Sequence, residues 1–424
     1  MFWNVLKKSL QKHGLYKPSW GLAIRTEWPK VLQVRWRYWC QLRRVRRVYG
    51  KRKLRVIFPV SNVSKWKEQS LYDLMKTSKT YEPLVALTVM DIENDLDDLA
   101  LMSQFELSKT FFEKRGCKCV MAYSIEGRRA ISFQEFGADI VWYTQPWRIA
   151  ECQDCVASSR FALCCYTPYS LQSYGLLDME CGVLFMRLLW RNFALSPAWA
   201  RVCEEYQGMR RAGKTVGLGH PMVDELCSFG SEPRSRNLVI YAPNWSCTVS
   251  ECFSTFLANG WQMLDLARKH PELNWAFKPH PTLRHILLTD CGWTLEAVDS
   301  YYRGWEEIGE ACYDANYVGL FADSIALITD CDSFLVEYAC FGNPIIHLVS
   351  SNCKYTPHAI SEKLFGTYYQ AHDWQELEGH FKRVVLGGDD YKRTFRLAAI
   401  REMNLMGNNA ARNILDYVDG LLEA

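Results

Sequence analysis

From Arg55 onward the chain alternates short apolar runs with helix-length amphipathic segments, and this rhythm constrains the fold more than any other feature. Strands joined through helices lie parallel, so the pattern predicts an α/β fold with sheets covered on both faces. Strands are expected at 54–60 (LRVIFPV), 83–90, 119–124, 139–144, 161–166, 193–196 and 215–218, with helices at 65–76, 96–114 and from 197. A second series places strands at 238–242, 275–278, 326–329 and 344–348, helices at 251–269 and 333–341, and closing helices at 393–402 and 409–422. Between the two series, residues 229–236 (FGSEPRSR) gather Gly, Pro, Ser and charge without apolar periodicity, which marks a linker. The expected organisation is a basic arm over 1–53, a Rossmann-like domain over 54–230 and a second over 237–424. Two parallel sheets facing one another leave a cleft at the carboxyl ends of their strands, where such sheets bind ligands.

A length of 424 residues gives each domain an adequate core, and a composition 49% hydrophobic and 23% charged argues against disorder. No run of eighteen apolar residues is free of charge, and residues 1–19 are too basic and interrupted for a secretory signal. Seventeen scattered cysteines fit free thiols in a reducing compartment, so a cytoplasmic protein is expected. The pair Cys152 and Cys155 with Cys164 and Cys165 makes a weak zinc pattern, and no metal or other cofactor is expected. The acidic run MDIENDLDDL lacks the glycine and terminal glutamate of a calcium loop and reads as acids drawn to a helix N-terminus.

Charge is unevenly spread. The first 55 residues hold 16 of the 50 Lys and Arg but one of the 47 acids, together with five of the 16 tryptophans. Val31, Val34, Tyr38, Leu42, Val45 and Tyr49 recur at steps of three and four, forming one helical stripe, with Arg35, Arg43, Arg44, Arg46 and Arg47 beside or opposite it. Such a helix suits an anionic membrane surface, where each cation contributes about 1 kcal/mol. It equally suits packing on the rest of the chain, and both readings stay open. The acidic body and the lack of a base-reading module argue against nucleic acid.

Three strand ends of the second series carry polar residues. After Tyr241-Ala242-Pro243, the side chains of Asn244 and Ser246 can cap the next helix or meet a ligand. Lys278-Pro279-His280-Pro281 holds a cation and an imidazole between two stiffening prolines, which favours a binding role for Lys278 and His280. In Thr329-Asp330-Cys331-Asp332-Ser333, a strand runs into a helix whose first amides and Ser333 hydroxyl can receive an anion. Glu337 lies one turn on, within reach of ribose hydroxyls, although a plain helix cap at Asp332 or Ser333 with a solvated Glu337 explains the same residues.

The succession YAPNW, KPHP, ITDCDSFLVEYACFGNPIIHL and MGNNAARNILDYV resembles the CDP-glycerol glycerophosphotransferases of teichoic-acid and capsule assembly, which have the GT-B fold. The long third segment also looks like the corresponding part of non-hydrolysing UDP-N-acetylglucosamine 2-epimerases. The resemblance is clear from Leu238 onward and fainter at QPW (145–147), CYTPYSL (165–171) and GHPMVDEL (219–226). It implies a GT-B fold in which His280 touches a donor diphosphate, Ser333 donates to a phosphate and Glu337 holds the ribose, with Asn244, Ser246, Asp330 and Lys278 nearby. It departs from the family at Ser246, where an Arg is common, at Asp332, where a serine is usual, and at 166–170 (YTPYS), where the polymerases carry a histidine. The acceptor base is thus unassigned among Tyr169, His220, Asp224 and Glu225.

The expected activity is transfer of glycerol phosphate from CDP-glycerol to a hydroxyl of a lipid-linked glycan or surface polymer, at the inner face of the plasma membrane. Sugar transfer from a nucleotide-sugar by the same fold, and a non-catalytic membrane adaptor, are the alternatives.

Overall fold

In the computed structural model, residues 18–89, 97–171, 173–207, 213–230, 237–248, 253–313, 317–407 and 409–424 are described, with side chains in the first helix described from Glu27. The run LRVIFPV forms β1 (Leu54–Val60), buried almost throughout. It pairs in parallel with β2 (Tyr81–Leu87) on one side. The first sheet continues with β3 (Cys119–Met121), β6 (Ile140–Tyr143), β7 (Leu163–Tyr166), β8 (Arg191–Ala194) and β9 (Thr215–Gly217), while β4 (Tyr123–Ser124) and β5 (Arg129–Ala130) make a separate hairpin. The order is β3-β2-β1-β6-β7-β8-β9, and every pairing is parallel. Near-continuous apolar strands are what a sheet covered on both faces requires.

The second sheet has the order β12-β11-β10-β13-β14-β15, again all parallel. Its strands are β10 (Leu238–Ala242), β11 (Asn274–Phe277), β12 (Glu310–Ala311), β13 (Ala326–Thr329), β14 (Ile345–Leu348) and β15 (Tyr369–Ala371). Each sheet starts at its centre and is extended first on one side, then on the other. The order therefore reverses beside β1 and beside β10, and each reversal opens a crevice at the carboxyl ends, between β1 and β6 and between β10 and β13. The expected strands all appear within a few residues; β12 and β15, only two and three residues long, carried no apolar run to betray them.

Helix α1 (Pro18–Val48) forms the arm. Helices α2 (Gln69–Thr77) and α3 (Asp98–Lys114) pack on β2, α4 (Pro221–Ser228) packs on α2, and α5 (Asp332–Ala339) follows β13. The acids before α3 behave as helix-start residues: Asp97 caps it by accepting from Ala100 N, and Asp98 lies in its first turn. Residues 90–96 of that acidic run, and 231–236 of the expected linker, lie outside the described residues.

The arm docks on the body. Val31, Val34, Tyr38 and Val45 of α1 are all at least 96% buried in the core of the first sheet, and Tyr38 donates to Leu188 O at 2.7 Å. Arg44 and Arg52 both pair with the buried Asp139, at 3.0 and 2.6 Å. Of the two readings of the stripe, membrane contact or packing on the rest of the chain, these residues follow the second. The magnitudes agree: each buried side chain contributes roughly 1.5–3 kcal/mol, against about 1 kcal/mol per cation at a charged bilayer.

The last helix, α6 (Ala410–Glu423), departs from expectation as well. It was expected to close the second domain, yet Ile414, Leu415, Val418 and Leu422 join the first sheet's core beside α1, and Asp419 accepts from Tyr49 and Tyr81. No helix among the described residues is long and apolar enough to cross a membrane.

Candidate functional site

At the second crevice three turns are tied together by main-chain and side-chain bonds. Lys278 N donates to Tyr241 O at 2.9 Å and His280 N to Pro243 O at 3.0 Å, so the turns after β10 and β11 lie side by side. Asp330, just past β13, accepts from Asn244 N at 2.6 Å, Thr255 N at 2.6 Å and the Thr255 hydroxyl at 2.9 Å. Burial pushes the Asp330 carboxyl up to about 6 despite these donors. The Asn244 side chain accepts from Ser246 N, and the Ser246 hydroxyl accepts from Phe253 N. Asn244, Ser246 and Asp330 therefore spend these polar groups shaping the loop, which is the capping role that competed with ligand contact in the sequence.

His280 is placed differently. Its Nδ1 accepts from Thr282 N at 3.2 Å, which assigns the proton to Nε2. Burial and the neighbouring Lys278 lower the imidazole to about 4, so at neutral pH it is an uncharged donor. Positive charge must come from elsewhere. Lys278 is buried, its Nζ 5.9 Å from the Tyr317 ring centroid.

That ring is shared with a residue the sequence reading missed. Lys67, two residues before α2 in the first domain, sets its Nζ 4.8 Å from the Tyr317 centroid and donates to the Tyr317 hydroxyl. It also forms an ion pair at 3.2 Å with Glu337 Oε1, while the Tyr317 hydroxyl donates to Glu337 Oε2. Glu337, expected to be open to a ribose, is fully buried in this contact. The signal available beforehand was slight: a KWKE run shortly after a strand that is central only in the folded sheet.

Asp332, a possible liability beside a phosphate, turns to the facing domain and accepts from the Ser173 hydroxyl. Burial pushes it up to about 6. Ser333, half-buried in the first turn of α5, stays at the helix start.

Solved structures resemble this architecture. UDP-N-acetylglucosamine 2-epimerase from Neisseria meningitidis bound to UDP-GlcNAc matches with a TM-score of 0.56 and 14% identity over 87% of this chain and 100% of that one. The S. aureus MnaA co-structure with UDP matches at 0.51 and 15%, over 88% and 97%. A variant of the wall teichoic acid polymerase TagF matches at 0.52 and 12%, over 94% and 98%. The fold is GT-B-like. At these identities the likeness speaks for the fold alone; no family model and no curated protein matches the sequence.

In the first domain, three of the four acceptor-side candidates already bond within the structure. His220 Nδ1 accepts from Met222 N and its Nε2 bonds Pro168 O at 2.6 Å, so both nitrogens hold turns together; burial lowers it to about 4. Asp224 accepts from Ala410 N and Ala411 N, capping α6 across the domain junction. Glu225 pairs with Arg115 at 2.9 Å. Tyr169 lies among first-domain neighbours: Lys65 Nζ is 5.8 Å from its ring centroid, and Trp147 packs edge-on at 5.8 Å. Burial, with the charges of Asp332 and Glu180, pushes its phenol up to about 12, which keeps it protonated at neutral pH.

Proposed function

We propose that the protein is a transferase whose second domain holds a nucleotide-diphosphate donor and whose first domain presents an acceptor hydroxyl. The observation that supports it is the tying of three turns: the one carrying Lys278 and His280 bonds the main chain of the turn after β10, which in turn donates to Asp330 ahead of the helix that bears Ser333. Uncharged and charged donors around a helix N-terminus form an anion site of the type that stabilises charge on a diphosphate. With CDP-glycerol as donor, the acceptor oxygen attacks the glycerol-bearing phosphorus in line. The bond from that phosphorus to the bridging oxygen breaks, CMP leaves with the electron pair, and the acceptor proton passes to solvent.

The experiment is a thermal-shift panel with CDP-glycerol, CMP, UDP-GlcNAc and UDP, since a ligand raises stability only by binding the native form. Stabilisation by CDP-glycerol and CMP, lost in His280→Ala, is the expected result. Response to the uridine ligands alone would move the reading to sugar transfer. A response to none would favour the adaptor, a reading that has its own support in Glu337 being already occupied by Lys67.

We further propose peripheral attachment to an anionic bilayer through the outward face of α1. Trp36 and Trp39 are 65% and 51% exposed there, with Trp28 and Leu32 on the same exposed side and the Arg43 guanidinium 3.9 Å from the Trp39 ring centroid. Aromatic rings interleaved with cations suit the headgroup region of such a surface.

A further inference from the structure

The first domain reaches the second through a short strap. Ser173 O accepts from His358 N at 2.9 Å and Gly175 N donates to Thr356 O at 3.0 Å, so Tyr174 bridges Pro357 in antiparallel register. The buried Tyr174 ring packs edge-on against Phe253 at 5.0 Å and Phe365 at 5.1 Å, both from the second domain. Trp199, in the helix Pro197–Tyr206, adds a ring contact at 4.7 Å to His358. Main-chain bonds and buried rings offer nothing that a charged ligand can compete for.

The contact along α5 is of another sort. Asp332 and Glu337 lie on that helix, and each is taken by a side chain of the facing domain: Ser173 donates to the first, and Lys67 pairs with the second at 3.2 Å. Lys67 and Glu337 are 5% and 0% exposed, so neither charge is hydrated while the domains stay together. On separation both ions regain water, which offsets much of their mutual attraction. A contact so balanced can exist made or broken, as a switching element must. It also stands at the crevice beside β13, where α5 begins and where the proposed donor has to enter.

We propose that the ligand-free protein is self-closed, with the strap as pivot and the Lys67–Glu337 pair as a latch whose release opens the cleft to an anionic ligand. That the latch gates a nucleotide rests on the transferase reading; that it holds the domains together does not. An anion that takes the Lys67 ammonium in place of Glu337 supplies the differential affinity needed to shift the balance.

The test is small-angle scattering of the full chain, paired with stopped-flow binding of CMP. Lys67→Met is expected to raise the radius of gyration by about 5% and the CMP association rate about tenfold, while Lys67→Arg, which keeps the cation, changes neither. The double variant Lys67→Met, Glu337→Gln strands no buried charge, so it folds even where the single one does not, and it is expected to open in the same way. Unchanged scattering in the methionine variants, or an opening that leaves CMP association at the wild-type rate, would overturn the proposal. Opening with no CMP binding to any of the proteins supports the latch and counts instead against the donor site.

Discussion

Lys67 and Glu337 meet across the two domains as a buried ion pair, Nζ to Oε1 3.2 Å, with the Tyr317 hydroxyl bonded to both. A buried pair loses most when one partner is removed, because the survivor is left uncompensated. Lys67→Met is therefore expected to cost about 3–5 kcal/mol in urea unfolding, and the double variant Lys67→Met, Glu337→Gln to recover most of it. A double variant no more stable than Lys67→Met would show that the pair does not couple.

Glu68 is fully buried and neither carboxyl oxygen has a hydrogen-bond partner among the described residues. Burial raises its pKa well above 4.5. A raised carboxyl favours the fold below its unfolded pKa, and that contribution is lost as the pH climbs towards the folded value. Glu68→Met should therefore stabilise the protein at pH 7.5, by about 1–3 kcal/mol or more, with a smaller gain near pH 4, where the carboxyl is neutral but still unpartnered. Denaturant titrations at the two pH values read the difference, and an equal gain at both would refute it.

His220, His280 and His347 are each lowered from 6.5 to about 4, chiefly by burial. A depressed histidine binds its proton more readily when unfolded, so stability falls as pH drops from 6.5 towards 4. For each residue the loss between pH 7.5 and 5 is about 2 kcal/mol. Asp330 and Asp332, raised to about 6, work in the opposite sense over the same interval. His220→Asn, which retains a donor and an acceptor, should flatten the acid limb by about that amount; an unaltered slope would place the imidazole's titration elsewhere.

The two faces of α1 should separate by mutation. Val34→Asp places a charge in the core and is expected to destabilise by several kcal/mol, visible as a lowered melting temperature. The pair Trp36→Ala, Trp39→Ala lies outside and should leave stability within about 0.5 kcal/mol while cutting flotation with anionic vesicles about tenfold. Undiminished flotation would remove the membrane face.

Much of the architecture is legible in the sequence because strand and helix patterns are local. LRVIFPV declares a buried strand, and the polar residues clustered after Ala242, Phe277 and Thr329 mark the strand ends at which ligand sites form. The same logic identifies an apolar stripe on α1, but periodicity says only that a face is apolar, not what covers it. Asn244, Ser246, His220 and Asp224 illustrate the limit: residue type shows that each can bond, and only the fold shows that loops and helix ends already use those bonds.

By itself, then, the sequence determined the α/β rhythm, the three polar turns of the second sheet and the basic character of the arm, since each depends on neighbours a few residues apart. The tertiary structure alone decided that Lys67 closes on Glu337 and that α6 crosses back to the first sheet. These depend on where separate chain segments meet, and the strand order that brings them together is set by packing the whole core at once.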